Sequence, residues 1–190
     1  TLILYGNDSA NNQNSTNVTF FVDSINPSIT ISSSFSNATY LNYNSSILFN
    51  LTISDTNLNT CFYNLDSGTN TTITCGQNLS LNVSDESMHT LNVFANDTLN
   101  NINNTEKRSF YSDTIYPIVT ITSPITTTTG SQTISFSHTV TDTYINTCKF
   151  SIFKSDGSID GLYENISLTC GASGTGATVS SYGTFNLTIY

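Results

Sequence analysis

TLILYGNDSANN (residues 1–12) returns as TLNVFANDTLNN (residues 90–101), with six of twelve residues identical. Each copy runs into a second apolar-alternating stretch, then a proline, then a new alternating run. These are NVTFFVDSINPSITI (17–31) and KRSFYSDTIYPIVTI (107–121). Pro27 and Pro117 stand 90 residues apart, the length of one small β-sandwich. The chain is therefore read first as a repeat.

Alternation locates the strands. Ile47, Phe49, Leu51 and Ile53 point one way while Leu48, Asn50 and Thr52 point the other. Val18, Phe20 and Val22 alternate in the same way, as do Leu79, Leu81 and Val83, and Leu91, Val93 and Ala95. No stretch of ten residues has helical periodicity, so the expected class is all-β. Lettered as an immunoglobulin sandwich, the middle repeat has strand A at 28–33, B at 46–54 and C at 61–65. D follows at 71–75, E at 78–84, F at 89–96 and G at 106–112. ILFNLTISDTNLNTC (47–61) aligns with ISFSHTVTDTYINTC (134–148) at a constant offset of 87, which begins a third repeat. That repeat is read as five strands ending with TFNLTI (184–189), two short of a full set.

The expected domains are thus 1–26, an F–G hairpin; 27–116, a complete tandem immunoglobulin-like β-sandwich; and 117–190, a sandwich lacking its last two strands. The two ends together approximate one domain. Either the chain is a stretch of a longer array, or one copy's hairpin completes the next copy's last domain. In the second case Leu2, Leu4, Val18, Phe20 and Val22 make the contact between subunits, and the head-to-tail contact propagates into a filament.

Asn, Ser and Thr supply 25, 28 and 32 of the 190 residues, and only 9% are charged. A net charge of −9 leaves no basic stripe for nucleic acid or an anionic membrane surface. No apolar run reaches membrane-spanning length, and no signal peptide is present, so the chain is read as a mature ectodomain or a piece of one.

Cys61 and Cys75 are symmetric about Gly68 and would face each other across a hairpin; Cys148 and Cys170 repeat the plan around a longer loop. Four buried free thiols are the alternative, but paired recurrence fits disulfides and an oxidising compartment. Thirteen N-x-S/T sequons occur, at Asn7, Asn14, Asn17, Asn37, Asn44, Asn50, Asn70, Asn78, Asn82, Asn96, Asn103, Asn165 and Asn186. Those on strands (Asn50, Asn78, Asn82 and Asn186) fall on the face opposite the apolar residues, as acceptors of N-glycans must.

An immunoglobulin topology would gather Asp23, Asp55 and Asp97 at one pole of the middle domain. Asp113, Asp142 and a neighbouring copy's Asp8 would form the equivalent set. Oxygen-only clusters suit calcium, whereas isolated Asp residues cap turns; the absence of a bidentate Glu favours the caps. His138 replaces Leu51 on the apolar phase and His89 sits at the E–F turn, neither beside a nucleophile and an orienting acid. No enzyme activity is expected.

The pattern A-x-D-x-x-N-N, a strand ending in Asp, then Pro and V-T-I is carried by Ala95, Asp97, Asn100, Asn101, Asp113, Pro117, Val119 and Ile121. Gly6, Asp8, Asn11, Asn12, Asp23 and Pro27 carry its first copy. It resembles the Ig-like and cadherin-like repeats of archaeal and bacterial cell-surface and filament proteins, with Asn100 and Asn11 replacing the family's turn Gly. The resemblance implies an extracellular, structural, glycosylated assembly that associates with itself, without nucleic-acid or membrane partners. It also implies that calcium, where bound, stiffens the linkers. The rival expectation is a stalk or carbohydrate-binding module of a large adhesin, for which Tyr40 and Tyr43 are the nearest aromatic pair.

Overall fold

Strict alternation gives the described residues strands joined by turns. The computed structural model describes residues 1–124, 130–172 and 175–190, and no helix occurs among them. The chain divides into two units, Thr1–Asp113 and Thr114–Tyr190.

The N-terminal unit opens with β1 (Leu2–Asn7) and β2 (Gln13–Val18), an antiparallel pair with Leu2 opposite Val18 and Asn7 opposite Gln13. Every residue of both strands is exposed. The strand expected to run through Phe20 and Val22 stops at Val18, because the pairing with β1 ends at Leu2. Eight more strands follow: β3 (Ser28–Ser33), β4 (Thr39–Leu41), β5 (Ile47–Ser54), β6 (Leu58–Leu65), β7 (Thr71–Ile73), β8 (Leu79–Leu81), β9 (Met88–Asp97) and β10 (Ile102–Ser112). They form two sheets, β3-β5-β8 and β4-β10-β9-β6-β7. Between the sheets lie Ile31, Ile47, Phe49 and Leu51 from one side, and Cys61, Leu91, Val93 and Phe110 from the other. Phe49 and Phe110 have no solvent exposure, and their ring centroids lie 5.8 Å apart. Each such ring contributes about 1.5–3 kcal/mol by burial.

The segment lettered D is β7, which pairs with β6 in the hairpin expected around Gly68. Its Gly68 turn joins it to β6, so it extends that sheet. β4 was not foreseen; it runs parallel to β10, with Tyr40 opposite Tyr111. Those two rings stack at 4.4 Å, so Tyr40 is engaged with Tyr111 rather than set in a platform with Tyr43.

The C-terminal unit contains β11 (Ile118–Ser123), β12 (Thr133–Thr141), β13 (Cys148–Lys154), β14 (Ile166–Leu168), β15 (Thr175–Thr178) and β16 (Phe185–Ile189). Its sheets are β11-β12-β15 and β14-β13-β16. Six strands stand where five were expected. The additional one is β15, which pairs with β12 as β8 pairs with β5. TFNLTI therefore moves one place along. β16 sets Leu187 opposite Ile152 and Ile189 opposite Phe150. β9 does the same with Leu91 opposite Leu65 and Val93 opposite Tyr63. β16 is thus the counterpart of β9, and β4 and β10 lack counterparts among the described residues. The consequence is visible in burial: Leu91 and Val93 are fully buried, while Leu187 and Ile189 are half-exposed.

Both cysteine pairs are disulfides, with Cα–Cα separations of 5.2 Å for Cys61–Cys75 and 5.3 Å for Cys148–Cys170. The partners are diagonal rather than directly opposed. Cys61 faces Ile73 and Cys148 faces Leu168, and in each case the second cysteine lies two residues further on. There the chain turns through Gly76 (φ 78°) or Gly171 (φ 73°), a conformation glycine adopts without penalty. The turns Thr74-Cys75-Gly76 and Thr169-Cys170-Gly171 close with equivalent bonds, Gln77 N–H to Thr74 O and Ala172 N–H to Thr169 O. Replacing Cys61 and Cys75 together by Ala should cost the N-terminal unit about 3 kcal/mol, seen as a lower denaturant midpoint. An unchanged midpoint would show that the bridge adds no stability.

Candidate functional site

The sequence N-D-x-x-N-N builds its own loop. Asp97 leaves β9 and its Oδ1 accepts from the N–H groups of Leu99 (2.9 Å) and Asn101 (2.8 Å). Its Oδ2 accepts from Asn101 Nδ2 at 2.7 Å, and Asn100 takes φ 65°. Asn tolerates this left-handed step better than other residues that carry a Cβ. The loop between β1 and β2 has the same design. Asp8 Oδ1 accepts from Ala10 N–H (2.8 Å) and Asn12 N–H (2.9 Å), Asp8 Oδ2 accepts from Asn12 Nδ2 (2.9 Å), and Asn11 takes φ 64°. The repeat seen in the letters is thus a repeat of hydrogen bonds.

The Asp97 loop does more than close itself. Asn101 Nδ2 also donates to the Asp23 carbonyl at 3.1 Å. Asn57 Nδ2 donates to Asp23 Oδ2 at 2.9 Å, while Asn57 N–H binds Asp55 Oδ1 at 2.8 Å. Asn103 Nδ2 reaches the Pro27 carbonyl at 3.0 Å. Three segments (the linker at Asp23, the β5–β6 turn and the β9–β10 turn) are thereby tied at one pole by neutral amides.

Asp23, Asp55 and Asp97 do meet there, with ligand oxygens within 4.8 Å of one another. They are the residues that could hold a hard cation such as calcium. Five of their six carboxylate oxygens already accept hydrogen bonds. Asp113 N–H donates to Leu41 O, Tyr144 N–H donates to Asp142 Oδ1, and Asp8 closes its own loop.

Asp97 is fully buried, which opposes its ionisation. The bonds from the Asn101 side chain, Asn101 N–H and Leu99 N–H outweigh that cost and hold the carboxyl below its usual value. At Asp8 the Asn12 amide is the leading cause of a shift in the same direction.

Both histidines are buried. His89 is buried beside Phe110, with Nδ1 2.8 Å from Asp66 Oδ2. His138 Nε2 accepts from Gly171 N–H at 3.1 Å, bracing the Cys170 turn, and its buried Nδ1 has no partner among the described residues. Sequence reasoning missed Asp160. It is fully buried, accepts from Ser180 N–H (2.9 Å) and the Ser180 hydroxyl, and lies 3.8 Å from Lys154 Nζ. The neighbouring pattern K-S-D-G-S reads as an ordinary turn, so nothing flags the second Asp.

Of the sequon asparagines, none is buried and three, Asn44, Asn96 and Asn103, are half-buried. The residues expected to contact another subunit are open: Leu2 is 61% exposed, Leu4 69%, Val18 53%, Phe20 61% and Val22 75%. Phe20 is the repeat partner of Phe110, which has no exposure.

No family model and no curated protein matches the chain. Among solved structures it is similar to dimeric latent PorU from Porphyromonas gingivalis (TM-score 0.39, 13% identity, 86% of this chain and 17% of that one). A biofilm-associated protein BSP domain is also similar (TM-score 0.29, 16% identity, 84% of this chain and 27% of that one). The chain thus spans a small part of either relative.

Because the folded Asp97 carboxyl is held below 3.8, its stabilising bonds are complete above that pH and are lost as the pH falls through the lower folded value. Acid titration of the N-terminal unit, followed by thermal midpoint, should therefore show a loss that Asp97→Asn flattens. A parallel slope in the variant would exclude Asp97 as its source. The amide ties order the pole without an ion, so removing calcium with a chelator should leave the midpoint unchanged. A drop of several degrees would identify the three carboxylates as a structural cation site.

Proposed function

We propose that this chain is a run of tandem immunoglobulin-like β-sandwiches from an extracellular, N-glycosylated surface protein, and that its role is mechanical. The reading assigns it no catalysis, since both histidines are committed to packing and to bracing turns. Two disulfides and no free cysteine support an oxidising, extracellular setting.

The observation that carries the reading is the bond-for-bond identity of the Asp8 and Asp97 loops. It supports reading residues 1–18 as the second half of a sandwich like the one read at 27–113. Such a half needs a first half to cover Leu2, Leu4 and Phe20. Tandem covalent repetition supplies one within the same polypeptide. Exchange between copies is the second reading, favoured by the exposed apolar side chains of the hairpin. It fits less well, because β16 already stands beside β13 where a neighbour's β1 would have to go. Under the tandem reading the Asn57, Asn101 and Asn103 amides stiffen the link between successive sandwiches, as a load-bearing stalk requires.

Sedimentation velocity over a hundredfold range of concentration separates the two. A stalk segment should remain one chain, or associate weakly and without a fixed geometry. Regular head-to-tail polymers with β2 seated on another copy's 117–190 unit would instead establish the filament and reject the stalk.

A further inference from the structure

We infer that the sequon asparagines beside the edge strands are the glycan-bearing ones, that their glycans guard those edges, and that Asn103 is bare. The inference rests on the proposed glycoprotein reading. An edge strand presents unpaired N–H and C=O groups and invites pairing with another chain. The edges here include β4 and β7 of one sheet, β8 of the next and β14 in the C-terminal unit. Each has a sequon asparagine at its end. Asn37 precedes β4, Asn70 precedes β7, Asn78 and Asn82 flank β8, and Asn165 precedes β14.

All five are exposed and use their amides in one way. The oxygen faces the protein. Asn37 Oδ1 accepts from Ser109 N–H (2.8 Å), Asn78 Oδ1 from Leu51 N–H (3.2 Å) and Asn82 Oδ1 from Ser46 N–H (2.8 Å). These bonds extend the ladder past the end of the short edge strand. Asn70 Oδ1 accepts from Asn64 Nδ2, and Asn165 Oδ1 from the Tyr190 hydroxyl. In every case Nδ2, the atom that carries an N-glycan, donates no hydrogen bond among the described residues. A sugar there leaves the oxygen's bond intact and extends outward from the edge.

Asn103 is the opposite case. It sits on the interior strand β10, half-buried, and its Nδ2 faces the carbonyl of the fully buried Pro27. Its Oδ1 is taken by Thr105 N–H and Oγ1. A glycan there replaces one of the two Nδ2 hydrogens and sets a sugar beside the carbonyl of buried Pro27, crowding the bond that ties the linker to the sandwich.

The test is site-resolved glycopeptide mass spectrometry on the native protein from the cells that make it. Glycan is expected at the five edge positions, with occupancy at Asn103 well below that at each of them. Occupancy at Asn103 equal to that at Asn78 and Asn82 overturns the inference. Glycans confined to positions away from the edges do so too, while leaving the glycoprotein reading in place. A chain with no glycan at any sequon overturns both. Enzymatic deglycosylation of the native protein should then promote association in sedimentation, and an unchanged distribution refutes the guarding role.

Discussion

A β-strand has two hydrogen-bonding edges, and each must be paired, covered or guarded. That requirement organises this chain more than any single contact. In the N-terminal unit β9 is paired on both sides, by β6 and β10, and its Leu91, Val93 and Ala95 are fully buried. In the C-terminal unit β16 occupies the same place but, among the described residues, is paired on one side only, and its inward residues stay half-exposed. One missing neighbour is enough to open a core, because β10 contributes Phe110 as well as backbone bonds. The exposed hairpin illustrates the complementary case: strands of the β9 and β10 type, fully bonded to each other, with nothing over their apolar side chains.

Long alternating runs were legible in the sequence, and so was the repeat. β3, β5, β9 and β10 appear close to where alternation put them, since six or more residues carry enough period-2 signal to exclude a helix. Three-residue strands carry almost none. Thr39–Leu41 has one apolar position facing inward, and Thr175–Thr178 reads T-G-A-T, so neither announces itself. Missing β15 displaced the next assignment, and β16 was taken for its predecessor. Pairing partners were harder still. They are decided by which edge is free once the sheet assembles, as β4 shows by running parallel to β10.

The pole of the N-terminal unit was legible for a different reason. Asp in N-D-x-x-N-N has short-range partners, and an immunoglobulin lettering brings three such loops together. What the letters hid was the role of Asn57, Asn101 and Asn103. Each amide offers a donor that reaches a second loop, and Asn101 Nδ2 serves Asp97 and the Asp23 carbonyl at once. Donors outnumber the need for a counter-ion, which is how three carboxylates can share 4.8 Å of space in a chain with so few cations.

The same economy extends to the rest of the surface. With 9% charged residues, ion pairs cannot supply much solubility or specificity, and such pairs contribute little when exposed. Asparagine supplies them instead. In the interior it donates across loops, as at Asn103; at the strand ends it accepts from the backbone and turns its nitrogen to solvent, as at Asn78 and Asn82. One residue type thus serves two opposite purposes, and the direction of its amide decides between them. Asn101 and Asn103 tie segments together through their nitrogens, whereas Asn78 and Asn82 bond the backbone through their oxygens.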